Sequence, residues 1–291
     1  MVDVSVVIIN YNTRELTRDC IQSIYDQTLQ VSFEVIVIDN ASTDGSVEIL
    51  SSLDHEKYSY IYNKENTGFS RANNTASHNA RGKYLFFMNS DMVLVNDVLS
   101  ILTGHMRNNP GTGIAGPRFL NPDGSLQISC RNFPGIIFGC LKFFPFLRGF
   151  LSGQALDYYQ QDRDYSKLQR VDTVSAGALM IERALFERLG RFDEFSFMYA
   201  EDADICRRVR DLGKTIDFVP EAQLIHYGGQ SSQLNSSRAV WSYYFAFYHL
   251  YKKYYFGWFG VFLKPIFGFR ALMAVVAIWF KQDKRVTWNN K

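Results

Sequence analysis

The feature that most constrains this chain is an alternation of apolar runs and helical spacing. "DVSVVIINYN" (3–12) is a short β-branched run that closes on polar residues, and "FEVIVIDN" (33–40) repeats the pattern. Between them, Leu16, Cys20, Ile21, Ile24 and Tyr25 fall at helical spacing behind Thr13, a candidate N-cap. "YSYIYN" (58–63) predicts a third strand, Gly68 to Arg81 a helix, and "KYLFFMN" (83–89) a fourth strand. Strands alternating with helices imply an α/β fold: a mostly parallel sheet with right-handed crossovers, flanked by helices. In such sheets ligands bind beyond the carboxyl ends of the strands, near a topological switch point. Three of the four runs end in polar clusters, Asn10-Tyr11-Asn12, Asp39-Asn40 and Asn89-Ser90-Asp91, which are therefore expected along one edge.

One stretch poses a physical problem. "YLFFMNSDMVLV" (84–95) reads as a strand buried on both faces, yet it carries Asp91. An ionised carboxylate without a partner is costly to bury, so Asp91 is expected either just past the strand end or against a cation.

The second half is less regular. "GPRFLNPDGSLQ" (116–127) is rich in turn residues, and 133–151 is apolar but broken by Pro134, Gly135 and Pro145. A short strand and a helix stopped by Gly190 are expected within 174–194, a helix over 199–213, and an extended run over 215–229. From 236 onward the chain becomes aromatic and basic. "ALMAVVAIWF" (271–280), with Lys264, Pro265 and Arg270 before it, is half the roughly 20 residues a spanning helix needs, so no spanning segment is expected. Aromatics with interleaved cations suit a helix lying in the membrane interface; packing on the domain or on a second subunit, as a homodimer, is the other reading.

Composition removes several function classes. With 291 residues, 47% of them hydrophobic, disorder is excluded, and a net charge of +2 without an arginine-rich run argues against nucleic acid. Cys20, Cys130, Cys140 and Cys206 lack metal-type spacing and read as reduced thiols. The N-terminus enters a strand at once, so no secretory signal is expected and the cytoplasm is the default compartment.

Taken cluster by cluster, the polar edge leaves alternatives open. Ser42, Thr43 and Asp44, after Asp39, can cap the next helix or bind a ligand. Gly68 allows close backbone approach and Arg71 is a candidate phosphate partner. Asn89, Ser90 and Asp91 offer oxygen ligands suited to Mg²⁺ or Mn²⁺. Asp204 is expected on an exposed helix face with Glu201 and Asp202, and His226 ends an apolar extended run.

Together, "SVVIINYN", "VIDNASTDGS", "NTGFSRANN", "NSD", "SAGALMIER" and "YAEDADICRRVRDLG", in this order, resemble the glycosyltransferases of family 2, over about residues 3–230. Within it, "NPDGSLQ", "CRNFP" and the aromatic tail are most similar to bacterial rhamnosyltransferases that build O-antigen and related polysaccharides. The resemblance implies a GT-A fold, Rossmann-like and binding a nucleotide sugar, with a catalytic domain over 1–235 (nucleotide half about 1–115, acceptor half about 116–235) and a tail over 236–291. It implies that Ile9, Asn10, Tyr11, Asp39, Asn40, Gly68, Arg71, Asn89 and Ser90 meet the nucleotide sugar, and that Asp91 and His226 hold Mg²⁺ or Mn²⁺. Asn89 replaces the first Asp of the family's D-x-D, leaving one carboxylate there. Glu201 and Asp202 match the family's acidic pair, with Asp202 as general base. The implied enzyme inverts at the anomeric carbon, moving L-rhamnose from a dTDP donor to a hydroxyl of a lipid-linked saccharide at the inner face of the membrane. A polyprenyl-phosphate sugar synthase, a transferase using a UDP- or GDP-sugar, and a non-catalytic membrane adaptor are the rival expectations.

Overall fold

A computed structural model of the chain describes residues 2–136, 138, 139, 158, 160, 163–228 and 237–288, with side chains of the last helix as far as Trp279. The four apolar runs form β1 (Val4–Asn10), β2 (Phe33–Asp39), β3 (Tyr58–Tyr62) and β4 (Tyr84–Asn89). They pair in parallel in the order β3-β2-β1-β4, so the chain steps outward from β1 to β3 and then returns to β1's other side. The switch point therefore lies between the carboxyl ends of β1 and β4.

Three helices make the crossovers: α1 (Arg14–Gln27), α2 (Ser46–Leu50) and α3 (Phe69–Ser77). Thr13 stands at the N-cap of α1 but does not cap it; the Arg14 N–H donates instead to Asp44 Oδ2 at 3.0 Å. The expected helix through Arg81 ends at Ser77, because the Arg81 N–H and guanidinium turn back to the buried Glu34 carboxylate at 2.6 and 2.8 Å.

The stretch "YLFFMNSDMVLV" is not one strand. β4 ends at Asn89, and β5 (Met92–Leu94) pairs with the last strand at the far end of the sheet. Asn89-Ser90-Asp91 is thus the step between two separated strands, and Asp91 does lie past a strand end. The chain continues through α4 (Val98–Asn108), β6 (Thr112–Leu120), β7 (Leu126–Gln127), β8 (Cys130–Arg131), β9 (Gln169–Arg170), β10 (Thr173–Val174), β11 (Ala178–Glu182), α5 (Arg183–Arg188), α6 (Glu201–Asp211) and β12 (Thr215–His226). Sheet order is β3-β2-β1-β4-β11-β6-β12-β5, with β11 antiparallel to both neighbours and β5 antiparallel to β12.

Alternate side chains of the central strands bury on opposite faces. Val6, Ile8, Phe86 and Met88 join α1 and α4 in one core; Val7, Leu85 and Phe87 join α3, α5 and α6 in the other. Cys20, Cys130 and Cys206 are buried and unpaired, while Cys140 and most of 133–151 lie outside the described residues.

The tail consists of α7 (Ser237–Tyr251), a π-helical turn (Lys252–Phe256), a 3₁₀ segment (Gly257–Leu263) and α8 (Lys264–Trp288). Here the expected length is corrected: the tail contains a helical stretch that is long and apolar enough to cross a membrane by length and composition alone. Pro265 falls in the first turn of α8, where its missing N–H has no intrahelical partner to lose, so it starts the helix rather than breaking it. Part of the tail packs on the body. Ala246, Phe247, Tyr248, Leu250 and Tyr251 form a third core with Ala200, Ala203, Phe138 and Phe267.

Candidate active site

At the carboxyl ends of β1 and β2 the polar residues are tied to each other. Asn10 Nδ2 donates to Asp39 Oδ2 at 2.5 Å and to Ser42 Oγ at 2.9 Å, while the Ser42 N–H donates to Asp39 Oδ1 at 2.7 Å. Asn10 Oδ1 accepts from Thr17 Oγ1 (2.6 Å) and Thr13 Oγ1 (3.0 Å), and Thr13 in turn meets Ser90 Oγ at 2.9 Å. Asn10 and Asp39 have no exposed surface. They form the floor of the edge, and a ligand N–H reaches Asp39 only if the Ser42 loop yields; Ile9 and Tyr11 are the partly exposed surfaces above them.

Asn40, also buried, organises the next wall. Its Nδ2 donates to the Gly68 carbonyl at 3.3 Å and its Oδ1 accepts from Asn63 and Thr67 at 2.9 and 3.2 Å. Gly68 has φ +84°, and a Cβ there would stand 2.3 Å from the Phe197 carbonyl oxygen, so only glycine fits. Arg71 is not brought to this group: it lies on the outer side of α3, half exposed, with its Nε 3.1 Å from Glu194. Glu194 selects it away from the edge.

Asp91 and His226 are brought together. His226 sits opposite Met92 in the β12–β5 ladder, which sets its Nε2 3.4 Å from Asp91 Oδ1. The ring is fixed from behind, with His226 Nδ1 2.5 Å from Gln127 Oε1 and Gln127 Nε2 donating to Asn121 Oδ1 at 2.9 Å. Because Gln127's amide nitrogen is committed to Asn121, its oxygen faces the ring, and Nδ1 carries the hydrogen. In the neutral tautomer Nε2 then presents its lone pair on the Asp91 side. The turn "NPDGS" makes the platform, with Asp123 Oδ1 accepting from the Ser125 N–H and hydroxyl at 2.9 and 2.6 Å.

These residues fit a divalent cation that brings further ligands of its own. One carboxylate oxygen and one imidazole nitrogen converge, and no group of three His, Cys, Asp or Glu side chains suited to a metal occurs among the described residues. Such a site suits a cation arriving with a diphosphate, and the imidazole favours Mn²⁺ over Mg²⁺.

The acidic pair stands at the start of α6, behind two residues in left-handed backbone, Tyr199 (φ 79°) and Ala200 (φ 66°). Strain of this kind persists only where the surroundings impose it. Here Ser242 of α7 brackets Met198, accepting from its N–H at 3.0 Å and donating to its carbonyl at 2.9 Å, while Arg238 lies 3.8 Å over the Phe197 ring. The Phe197 carbonyl also accepts from the Phe69 N–H at 2.8 Å, linking this loop to the start of α3. Asp202 Oδ1 accepts from the Ala203 N–H at 2.7 Å. Glu201 Oε2 has no partner among the described residues.

Burial, reinforced by the charge of Asp202, pushes the Glu201 carboxyl up to about 8; burial also raises Asp202, opposed by the nearby Arg131 guanidinium. A folded-state pKa raised above the unfolded value stabilises the fold only while the group is protonated, so stability is lost from about pH 4.5 to about 8. Glu201→Gln is expected to flatten that decline, with a Tm above the parent's at pH 8 and nearly equal at pH 5, read by thermal denaturation across pH. A parallel decline in both proteins would show that Glu201 is not the group responsible.

Asp204 departs from expectation. It is fully buried and faces the tail: Arg208 Nε at 2.8 Å, Lys253 Nζ at 2.6 Å and Tyr254 Oη at 2.7 Å all donate to it. Sequence reading also missed Thr13, Thr17, Gln127, Asn121, Arg131 and Ser242; the turn motif around Asn121 was the one visible signal.

Comparison with known proteins identifies the family and the fold. The glycosyl transferase family 2 model matches residues 5–190. An N-acetylglucosaminyl-diphospho-decaprenol L-rhamnosyltransferase of Mycobacterium tuberculosis is 31% identical over 42% of this chain and 40% of its own length. The low-salt glycan biosynthesis hexosyltransferase Agl10 of Haloferax volcanii is 27% identical over 72% of this chain and 62% of its own. An uncharacterised protein of Sinorhizobium fredii is 27% identical over 78% of this chain and 25% of its own. The chain thus spans less than two thirds of the length of each of these relatives. The structure of GalNAc-T7 with UDP, GalNAc and Mn²⁺ superposes with a TM-score of 0.58 over 84% of this chain and 47% of that one, at 16% identity. The chain belongs to glycosyl transferase family 2 and has a GT-A-like fold.

Proposed function

We propose that this protein is an inverting, metal-dependent hexosyltransferase in cell-surface polysaccharide biosynthesis, moving L-rhamnose from a dTDP donor to a hydroxyl of a lipid-linked saccharide at the inner face of the membrane. The observation that carries this reading is the Asp91–His226 pair, set by the β12–β5 ladder beyond the sheet edge and locked from behind by Gln127. The named rhamnosyl- and hexosyltransferase relatives support the sugar class. Residues 1–235 form the catalytic domain in this reading, and 236–291 the membrane-associating tail.

Ile9 and Tyr11 flank the base, over the floor made by Asn10, Asp39 and Ser90, and Asn89 faces the ribose; the close approach that Gly68 permits is taken by the Phe197 carbonyl. Asp91 and His226 would hold the cation. When bound, it supplies Lewis-acid neutralisation of the departing diphosphate. Asp202 takes the proton from the acceptor hydroxyl as that oxygen attacks the anomeric carbon from the face opposite the diphosphate, beside Glu201, whose carboxyl is pushed up to about 8 by burial and the Asp202 charge.

With one protein carboxylate at the cation, Mn²⁺ alone is expected to bind weakly and to tighten at least tenfold when dTDP or UDP is added, in calorimetric titrations of the purified protein. Incubation with a panel of nucleotide sugars and Mn²⁺ or Mg²⁺ then identifies the donor. Tight Mn²⁺ binding without nucleotide would overturn the shared-site reading, and absence of nucleotide binding and donor turnover would overturn the enzyme.

A further inference from the structure

Charge is divided unevenly along this chain. Residues 236–291 carry nine Lys and Arg against one Asp, whereas residues 1–235 carry 22 against 28, so a near-neutral protein is a body of net −6 joined to a tail of net +8. The same tail holds most of the large apolar side chains left in the open. Trp258 (68% exposed), Phe262 (67%), Phe269 (61%) and Trp279 (62%) lead a set that continues through Phe259, Ile266, Leu272, Met273 and Val276.

In α8 the exposed residues 266, 269, 272, 273, 276 and 279 fall within one arc of about 140° at 100° per residue, with Lys264 and Arg270 on its two rims. The other side of α8 is occupied. Phe267 and Ala271 are buried, and the Phe267 ring lies 5.8 and 6.2 Å from those of Tyr248 and Tyr251 of α7. α7 and the π-helical turn are held to the body through Ser242 on Met198 and through Lys253 and Tyr254 on Asp204. A spanning α8 would have to leave this contact or draw α7 with it.

From these features we infer that the 3₁₀ segment and α8 seat in the plane of an anionic bilayer surface, with the apolar arc in the acyl boundary and Lys264 and Arg270 at headgroup level. A second copy is a poorer occupant, since pairing two arcs would bring four rim cations of like sign together. The acidic body is repelled by the same surface and stands off it. Ala200 and Ala203, which flank Glu201 and Asp202, pack in the tail's core, so the surface that holds the tail also holds the element that carries the acidic pair. This deepens the membrane placement proposed above and rests on no assignment of donor or metal.

The test is sedimentation of the full chain with phosphatidylcholine vesicles that contain or lack phosphatidylglycerol, in the absence of sugar donor and with nucleotide binding measured separately. Binding is expected to be at least tenfold tighter on the anionic vesicles and to weaken with salt. The pair Lys264→Gln and Arg270→Gln should lower it about tenfold on anionic vesicles only, and Phe262→Ser with Phe269→Ser about tenfold on both, with thermal melts unchanged. Equal binding to both vesicle types would overturn the proposal. So would light scattering that shows a dimer abolished by the two Phe substitutions without vesicle binding, or native chain that resists alkaline carbonate and leaves membranes only in detergent. Nucleotide binding lost with vesicle binding intact would count against the transferase alone.

Discussion

Asp202→Asn is expected to lower the rate of transfer about 1,000-fold while donor affinity changes less than about twofold, because proton transfer by a positioned base contributes roughly that factor. The substitution keeps shape and keeps the 2.7 Å bond from the Ala203 N–H to Oδ1, so α6 starts in the same place. What it removes is the basic lone pair. Single-turnover transfer and calorimetric donor titration read the two quantities separately. Equal losses in both would make Asp202 structural, and a loss below about tenfold would favour a synthase whose acceptor phosphate needs no deprotonation.

The neighbours sharpen that test. Burial raises Asp202 and Arg131 opposes the rise, so Arg131→Met should move the acidic limb of the kcat/KM profile to higher pH without changing its plateau. Two neighbouring carboxylates do not both ionise cheaply: the charge of Asp202 adds to burial in pushing Glu201 up to about 8, and burial raises Asp202 as well.

Local pattern made the strand-end side of this site readable. Each of the first four strands is a β-branched or aromatic run that needs burial, and parallel pairing then puts Asn10, Asp39 and Asn89 at one edge, as Asn10 against Asp39 and Ile9 against Asn89 in the ladders show. Long-range contacts decided the rest. The split of "YLFFMNSDMVLV" depends on Leu94 finding Leu224, which no property of the stretch announces. Gln127 reads as the end of a turn until His226, 99 residues later, is laid beside it. Arg71 resembles a phosphate ligand until Glu194, 123 residues away, claims it. Asp204 is the clearest case, since three acids opening a helix match the dipole rule for a solvated start and the third is nonetheless sealed by the tail.

That seal carries the second large effect. Asp204→Asn is expected to destabilise the protein by about 3 kcal/mol, because it leaves Arg208 and Lys253 donating to a neutral group inside the protein. Arg208 is 17% exposed and Lys253 35%, so Lys253→Met, which removes the more solvated partner, should cost only about 1 kcal/mol. Urea unfolding of the full chain with both variants reads the difference. The same node predicts a functional signature: with Lys253 gone, Tyr254 is left as the tail's polar hold on Asp204, and kcat should fall several-fold while donor affinity, which the proposed function assigns to the strand ends, stays. A tail that served only as a tether would leave kcat on soluble acceptor and the urea midpoint of Lys253→Met unchanged. The geometry argues otherwise, because Ser242 on Met198 and Lys253 and Tyr254 on Asp204 let the tail grip residues on either side of Glu201 and Asp202, with the left-handed turn at Tyr199 and Ala200 between those anchors.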